Sequence, residues 1–297
     1  MKKKPLVSII MNCFNGEKYL NSSLNSIIKQ DYKNWELIFW DNKSTDNTFK
    51  ILKSFDDKRI RYFRAKKRTV LYEARNFAIE KAKGEFIAFL DVDDFWTKDK
   101  LRKQIPKFRD RKIGLVYSNF YKYNDFKKKK YIAYDNKLPQ GHITSSIIKN
   151  YQIGFLIFVL RKKFLKKHKI FDFKYDLLSD YNFVLNFSLK HSFACLNSPL
   201  AFYRIHDNQL QKNKMVSQAR QFCRWFKNER IKKKFNKYDL SSIYKKLEYY
   251  DLLKDLDGSK VNLLCRMLKN FNLINFLKIN ALIFFPKRII FKFIDNL

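Results

Sequence analysis

The sequence predicts an α/β fold in which a Rossmann-like, mostly parallel sheet is flanked by helices. Over the first hundred residues, short apolar runs of strand type alternate with segments of helical period. The helical segments are long enough to cross over between parallel strands, and such crossovers are right-handed. The length of 297 residues suffices for one large domain or two modest ones, each with a closed core.

The predicted elements follow one another in a regular order. Apolar runs predict strands at residues 6–11, 35–40, 60–63 and 85–90. Helices are predicted at residues 17–30, from a start at 44–47, and at 70–82, where Gly84 ends the last one. After about residue 110 the pattern loosens, with a strand at 113–118, a basic loop or hairpin around 127–130, an apolar segment at 151–160, a helix at 180–189 and mixed strand and loop at 194–205. We therefore expect parts at 1–110 and 111–210 and a basic, helical C-terminal extension at 211–297.

The composition indicates a folded and very basic protein. Hydrophobic residues make up 46% of the chain, which excludes wholesale disorder. Lys and Arg number 63 against 28 Asp and Glu, so the net charge is +35. A solvated, lysine-rich surface explains such a charge, and so does an anionic partner: nucleic acid, lipid headgroups or a phosphorylated small molecule.

The cysteines and the N-terminus favour a cytoplasmic protein. Cys13, Cys195, Cys223 and Cys265 are scattered without a C-x-x-C motif, which argues against a zinc site or a disulfide scaffold. The basic start is typical of a signal peptide, but the apolar run at residues 6–11 is too short for its core. No stretch reaches the ~18 apolar residues of a spanning helix.

Polar side chains follow three of the predicted strands, at the edge where open α/β sheets bind their ligands. They are Asn12 and Asn15, then Asp41 and Asn42, then Asp91, Asp93 and Asp94. Neither G-x-G-x-x-G nor G-x-x-x-x-G-K-[ST] occurs, which argues against dinucleotide and P-loop sites. Carboxylates repel phosphates unless Mn²⁺ or Mg²⁺ lies between them, so the pattern indicates a metal-bridged nucleoside diphosphate. Taken alone, acids such as those at 91–94 more often form a turn and helix cap, and the weight comes from the joint position of all three strand ends.

Five segments carry a further pattern: VSIIMNCFNG at 7–16, YKNWELI at 32–38, DNKSTDNT at 41–48, ARN at 74–76 and AKGEFIAFLDVDD at 82–94. Together they resemble the opening of family 2 glycosyltransferases from about residue 5 to 105, with a weaker similarity to about 210. The resemblance implies a GT-A fold, a nucleoside diphosphate sugar donor that is usually UDP-linked, and Mn²⁺ or Mg²⁺. The first part would bind this donor and the second part the acceptor.

The resemblance also implies roles for individual residues. Asn12, Phe14 and Asp41 match positions that hold the base and ribose, Asp91 matches one that contacts ribose or sugar, and Asp93 matches the metal ligand of the DXD motif.

Asn15, Asn42 and Arg75 complete the predicted donor site. Asn42 stands where the family often has Asp, and its amide oxygen can still accept a hydrogen bond. Arg75 is a candidate to neutralise the diphosphate, or else a charge on the helix surface.

The catalytic base would come from the second part. Transfer with inversion needs a carboxylate that accepts the proton of the acceptor hydroxyl. Asp180, in the segment LSDY, resembles the base of the family, although Ser179 stands where the family more often has Glu. Asp172 and Asp176 compete for this role, and Asp180 also suits a helix N-cap.

His206, in the segment YRIH, resembles a family histidine near the diphosphate and metal. A lone His after an apolar run is equally typical of an ordinary surface or core residue.

The end of the chain offers a second partner. Lys278, Arg288 and Lys292 share one face of the apolar segment at 271–294, which Pro286 breaks or kinks. Such a segment either lies among anionic headgroups at the inner face of a membrane or packs as an ordinary helix. The family's frequent acceptors, glycans and lipid-linked precursors of lipopolysaccharide-type polymers, favour peripheral membrane contact.

The leading hypothesis is therefore an inverting, metal-dependent glycosyltransferase of hexosyltransferase type in cell-surface polysaccharide synthesis. The alternatives are a nucleotidyltransferase, which would want a phosphate loop richer in Gly and Lys than residues 12–18, and a catalytically silent relative that binds glycans or nucleotides. RNA binding would use the charge but gives no reason for carboxylates at strand ends, so we predict no nucleic-acid partner.

Overall fold

The computed structural model describes residues 4–165, 170–206 and 214–254. The chain divides into two compact units, residues 1–209 and 210–297. The first unit contains a nine-stranded sheet with helices on both faces. In the second unit the described residues form helices.

The elements of the first unit have the following bounds. Its strands are β1 (Val7–Cys13), β2 (Trp35–Asp41), β3 (Ile60–Arg64), β4 (Phe86–Phe89), β5 (Phe95–Trp96), β6 (Ile113–Asn124), β7 (Lys129–Ile132), β8 (Val159–Arg161) and β9 (Ser192–Ile205). Its helices are α1 (Glu17–Ile28), α2 (Thr48–Lys53), α3 (Leu71–Glu80), α4 (Lys100–Gln104), α5 (Thr144–Lys149) and α6 (Ser179–Ser188).

The second unit contributes three helices. They are α7 (Met215–Phe226), α8 (Glu229–Phe235) and α9 (Ser241–Lys254). Aromatic contacts hold α7 against α9: the ring of Phe222 lies 5.2 Å from that of Tyr250, and Phe226 lies 5.3 Å from Tyr244. The predicted membrane segment at 271–294 lies outside the described residues.

The strand order β3-β2-β1-β4-β8-β6-β9-β5 confirms an α/β sheet with crossovers. The first four strands are parallel, as predicted. The sheet becomes mixed at β8, which runs antiparallel to both β4 and β6. Because β8 joins the two predicted parts, one sheet continues across residue 110, and their separate binding roles stay a prediction.

The alternation of side chains along the strands decides on which face of the sheet each residue lies. Tyr62 of β3 packs against Phe49 of α2, with ring centroids 4.9 Å apart. Trp40 of β2 packs against Phe77 of α3 on the other face of the sheet, at 5.5 Å. Since successive strand residues point to opposite faces, Asp41 lies on the Tyr62 side of the sheet.

Two strands differ from the predictions. β6 continues to Asn124, beyond the predicted end at 118, and forms a hairpin with β7. The far half of β6 pairs with β9, Tyr121 lying opposite Phe202. The two-residue strand β5 was not predicted, and it pairs with β9 as well. In both places the strand depends on a partner distant in sequence, which local periodicity does not report.

Candidate active site

The three predicted strand ends lie side by side. Cys13, the last residue of β1, pairs with Asp41, the last residue of β2, and its carbonyl accepts the N–H of Asn42 at 2.7 Å. Leu90, just after β4, donates its N–H to the carbonyl of Ile10 in β1 at 3.1 Å. The carboxyl ends of β1, β2 and β4 therefore form one edge, as the sequence predicted.

Asp41 is fixed at this edge by two donors. The N–H of Ser44 donates to Oδ1 at 2.7 Å, and the Tyr62 hydroxyl donates to Oδ2 at 2.8 Å. Burial, followed by the bond to Asp41 and its charge, raises the pKa of Tyr62 to about 12. The tyrosine therefore stays a donor at neutral pH, and the Asp41 carboxylate keeps one orientation.

The side-chain amides of Asn15 and Asn42 form hydrogen bonds within the protein. Asn15 has a φ of 54°, a region that Asn tolerates, and its Oδ1 accepts the N–H of Thr45 at 2.8 Å. The Asn42 amide donates to the carbonyl of Thr69 at 2.8 Å and accepts the N–H of that residue at 3.1 Å. Both side chains join the loops that frame the site.

Asn12 differs from these two asparagines. Its side chain is buried within β1, and neither its amide oxygen nor its amide nitrogen has a hydrogen-bond partner among the described residues. A buried amide without protein partners is costly, so it calls for a partner from outside the protein, such as a water molecule or a ligand. Among the three asparagines of the predicted donor site, Asn12 is the one whose side-chain amide has no partner in the described part of the chain.

Phe14 forms a stack that was not predicted. The guanidinium carbon of Arg68 lies 3.6 Å from the centroid of the Phe14 ring, which is 36% exposed. Arg68 belongs to the basic run at 66–68 that follows β3. A polar loop after a third strand was the available signal for it.

Asp91 is held by Arg75. The buried guanidinium donates from Nη2 to Asp91 Oδ1 at 2.5 Å and lies over the rings of Tyr72 and Phe155, at 4.7 and 4.3 Å. Burial alone would lower the pKa of Arg75, but the charge of Asp91 and its hydrogen bond, together with the charges of Tyr72 and Asp180, outweigh burial and raise that pKa. Arg75 is thus not the helix-surface charge of the alternative interpretation.

Asp93 lies beside His206. The Nε2 atom of the histidine is 3.1 Å from Asp93 Oδ2, and its ring centroid is 4.9 Å from that of Tyr19. His206 is buried while Asp93 is about one-third exposed, at 34%. The structure thus joins two residues that are 113 positions apart in sequence.

Asp94 has a structural role. Its buried Oδ1 accepts the backbone N–H of Arg204 at 2.9 Å. Burial, followed by the charges of Asp93 and Asp91, raises the pKa of Asp94 well above its usual range. It anchors β9 to the turn at 91–94.

Arg204 was missed as a site residue. Its Nε donates to the carbonyl of Asp93 at 2.7 Å, Nη1 to Asp125 at 2.9 Å and Nη2 to the hydroxyl of Ser22 at 2.9 Å. Arg204 therefore fixes the backbone that carries Asp93. Its place two residues before His206 was the available signal.

Asp180 lies in the first turn of α6, half-buried. Burial is the largest cause of the raised pKa values of Tyr72 and Tyr151, and the charge of Asp180 is the second. This charge is also the smallest of the causes that raise the pKa of Arg75.

The two competing carboxylates make contacts with the backbone. Asp172 caps a 3-10 turn by accepting the N–H of Lys174 at 3.1 Å, and Asp176 accepts the N–H of Tyr72 at 3.3 Å. The base assignment itself stays a prediction.

Comparison with known proteins decides the family. The sequence profile of glycosyl transferase family 2 matches residues 8–173. The glucosyltransferase WfgD of Escherichia coli, named UDP-Glc:alpha-D-GlcNAc-diphosphoundecaprenol beta-1,3-glucosyltransferase, is 34% identical over 221 residues, which cover 73% of this chain and 84% of WfgD. The chain belongs to glycosyltransferase family 2.

Solved structures agree with this family 2 assignment at the level of the fold. The structure of S. aureus TarS 1-349 matches with a TM-score of 0.58 at 19% identity, covering 90% of this chain and 75% of that one. The mannosyltransferase PcManGT from Pyrobaculum calidifontis, in complex with GDP-Man and Mn2+, matches with a TM-score of 0.55 at 14% identity, covering 97% and 83%. These structures confirm the GT-A-like fold, and the family profile with the curated relatives confirms the assignment as a glycosyltransferase enzyme.

Asp93 and His206 are two neighbouring side chains of types that can bind metal ions. Among the residues that the structure describes, no three His, Cys, Asp or Glu side chains converge as a complete metal site. Asp93 and His206 supply one carboxylate and one imidazole, so the other ligands of a cation would be donor phosphates and water. Over the same described ranges, no helix is long and apolar enough to cross a bilayer.

Proposed function

We propose that this glycosyltransferase transfers a sugar, with inversion, from a UDP-linked donor to a hydroxyl of a lipid-linked glycan. The observation that carries the proposal is that Asn12, Asp41, Asp91 and Asp93 lie at or just after the carboxyl ends of β1, β2 and β4, which form one sheet edge. The charge of Asp180 supports its inclusion, since it contributes to the raised pKa of Arg75, the partner of Asp91. The names of relatives support the substrates: WfgD uses UDP-Glc and a diphosphoundecaprenol acceptor, and one TarS structure contains UDP.

The donor would lie across the edge formed by β1, β2 and β4. The free amide of Asn12 offers both a donor and an acceptor to a base, and the Phe14 ring with Arg68 offers a flat surface for stacking. Asp41, held by Ser44 and Tyr62, is placed to accept from the base or ribose.

Asp93 and His206 are the residues that would hold Mn²⁺ or Mg²⁺, since carboxylate oxygen suits both cations and donor phosphates would supply further oxygen ligands. When bound, such a cation stabilises the charge of the leaving diphosphate. Arg204 keeps the Asp93 backbone in place, and Arg75 fixes the orientation of Asp91.

Asp180 would act as the base. Its carboxylate takes the proton of the acceptor hydroxyl as the acceptor oxygen bonds to the anomeric carbon. The bond from that carbon to the phosphate oxygen breaks, and UDP leaves with the electron pair. Since the acceptor is lipid-linked in this proposal, we place the reaction at the inner face of a membrane.

Calorimetric titration of UDP, with and without Mn²⁺, tests the donor site. Wild type should need the metal for tight binding, and Asp93→Ala should weaken UDP binding at least about tenfold, because a charge-assisted ligand is lost. Asp56→Ala, an exposed acid on another loop, is the matched control and should bind as wild type does. Metal-independent binding would remove Asp93 from its proposed role.

Turnover of UDP-sugars tests the base. Asp180→Asn should keep UDP affinity and lose roughly a hundredfold or more of the transfer rate. Transfer at the wild-type rate would reject Asp180.

A further inference from the structure

The hairpin that closes β6 against β7 carries an unusual surface. Residues 124–132, here called the basic hairpin, contain lysine at each of positions 127–130. Three large apolar side chains stand out beside them: Phe126 is 65% exposed, Tyr131 55% and Ile132 50%. The exposed lysine and apolar side chains of this hairpin have no part in the donor site described above.

The tip of the hairpin is preformed. Asn124 Oδ1 accepts the N–H groups of Phe126 at 3.1 Å and Lys127 at 2.9 Å, and Lys128 adopts a φ of 51°. Lys128 also pairs with Asp125 at 3.0 Å. The side chains are therefore presented by an ordered turn, which lowers the entropy lost when a partner binds.

Protection of a sheet edge explains only part of this surface. Among the described strands β7 pairs with β6 alone, and lysines on an edge strand discourage pairing with other chains. Exposed Phe126, Tyr131 and Ile132 have the opposite effect, since they make association more favourable. The combination needs a partner that takes up apolar and cationic groups together.

We infer that the basic hairpin docks on the surface of an anionic phospholipid bilayer. Aromatic rings favour the level of the headgroups, and lysine stems reach past apolar atoms to phosphate. The charge is complementary: Asp125, the acid of the hairpin, is already paired with Lys128 and Arg204. Tyr131 and Ile132 are successive residues of β7, so their side chains lie on different faces of the hairpin. Apolar groups on both faces suit insertion of the tip better than a flat contact.

The root of the hairpin connects to the site. Asp125 accepts from Arg204 at 2.9 Å, and Arg204 donates to the Asp93 carbonyl at 2.7 Å. Docking would thus place the turn at 91–94 near the membrane surface. The benefit of this position for sugar transfer rests on the proposed lipid-linked acceptor. The docking itself is independent of donor and acceptor.

Co-sedimentation of the full chain with vesicles tests the docking without any substrate. Wild type should bind phosphatidylcholine vesicles that contain phosphatidylglycerol, less so at high salt, and bind pure phosphatidylcholine weakly. Lys127→Gln with Lys129→Gln, and separately Phe126→Ser with Tyr131→Ser and Ile132→Ser, should each lower partitioning about tenfold. These variants leave the Lys128–Asp125 pair in place.

A matched control separates the hairpin from the overall charge. Lys50→Gln with Lys58→Gln makes the same change of charge on exposed residues of α2 and of the loop before β3, a strand that is not adjacent to β6 or β7, and should partition within about twofold of wild type. Thermal melting shows that each variant is folded. Hairpin variants that bind like this control overturn the proposal. So does a wild type that ignores vesicles, or one that binds single-stranded RNA through the hairpin instead.

Discussion

Three asparagines at the sheet edge, Asn12, Asn15 and Asn42, differ in the hydrogen bonds that their side chains form. Asn15 and Asn42 use their amides to join loops, whereas the Asn12 amide is buried without a partner in the described part of the chain. The same residue type therefore has a structural role at two positions, and at the third we propose a role in recognition.

This difference predicts the effect of Asn12→Ala. UDP should bind about fivefold to tenfold more weakly, because a net hydrogen bond contributes about 1 kcal/mol. The free energy of unfolding should stay constant or rise, because no protein hydrogen bond is lost. Calorimetry and urea denaturation measure the two quantities.

Ser8→Ala is the contrasting variant in the same strand. Ser8 donates to Glu36 at 2.6 Å and accepts the N–H of Gly84 at 2.8 Å, so its loss should destabilise the fold and leave UDP affinity unchanged. If Asn12→Ala behaves like Ser8→Ala, the recognition role of Asn12 is wrong.

Lys100 makes stability depend on pH. Its buried amine donates to Gln104 Oε1 and lies 4.6 Å from the Trp96 ring, and burial lowers its pKa well below the ordinary value. The unfolded chain, with a lysine pKa of about 10.4, binds a proton that the folded chain binds less readily. The free energy of unfolding therefore increases with pH, by up to about 1.4 kcal/mol per pH unit.

Urea denaturation at about pH 7.5 and about pH 9 measures this contribution, since both pH values lie below the lysine pKa of the unfolded chain. Lys100→Met should remove it, while Lys98→Met, at an exposed position nearby, should keep the wild-type dependence. Equal slopes in all three proteins would show that Lys100 stays charged.

At the scale of elements, Gly84 allows β4 to lie beside β1. A Cβ at this position would lie 2.7 Å from the carbonyl oxygen of Leu6 and 2.7 Å from the nitrogen of Ser8. Both are backbone atoms, which cannot move aside as a side-chain end can. The sequence indicated only that Gly84 ends a helix.

Gly84→Ala should therefore destabilise the protein by about 1–3 kcal/mol, the usual range for overpacking. In Gly154→Ala the nearest atom is a side-chain carbon of Leu156 at 3.3 Å, so a smaller loss is expected. Chemical denaturation of both variants checks the order, and a larger loss for Gly154→Ala would contradict it.

At the scale of the whole molecule, the charge of +35 opposes compaction through self-repulsion. Raising NaCl from about 0.02 to about 0.3 M shortens the screening length from above 20 Å to below 10 Å. The melting temperature should rise over this range, and KCl should act equally because screening depends on ionic strength. A melting temperature that falls with either salt would contradict this account.

The sequence by itself determined the alternation of strands and helices, and with it the edge where β1, β2 and β4 end. Parallel strands joined by right-handed crossovers leave little choice of topology, so Asp41, Asp91 and Asp93 could be assigned to one site from their positions. Local periodicity and spacing carry that information.

Only the tertiary structure decided which polar groups the protein uses for itself. Arg204 contacts the Asp93 carbonyl across 111 residues, and Asp94 contacts the Arg204 backbone across 110. A hydrogen-bond partner is selected by distance in space, and local sequence patterns do not encode contacts between distant segments. For this reason the free amide of Asn12 and the anchoring role of Arg204 became visible only in the folded chain.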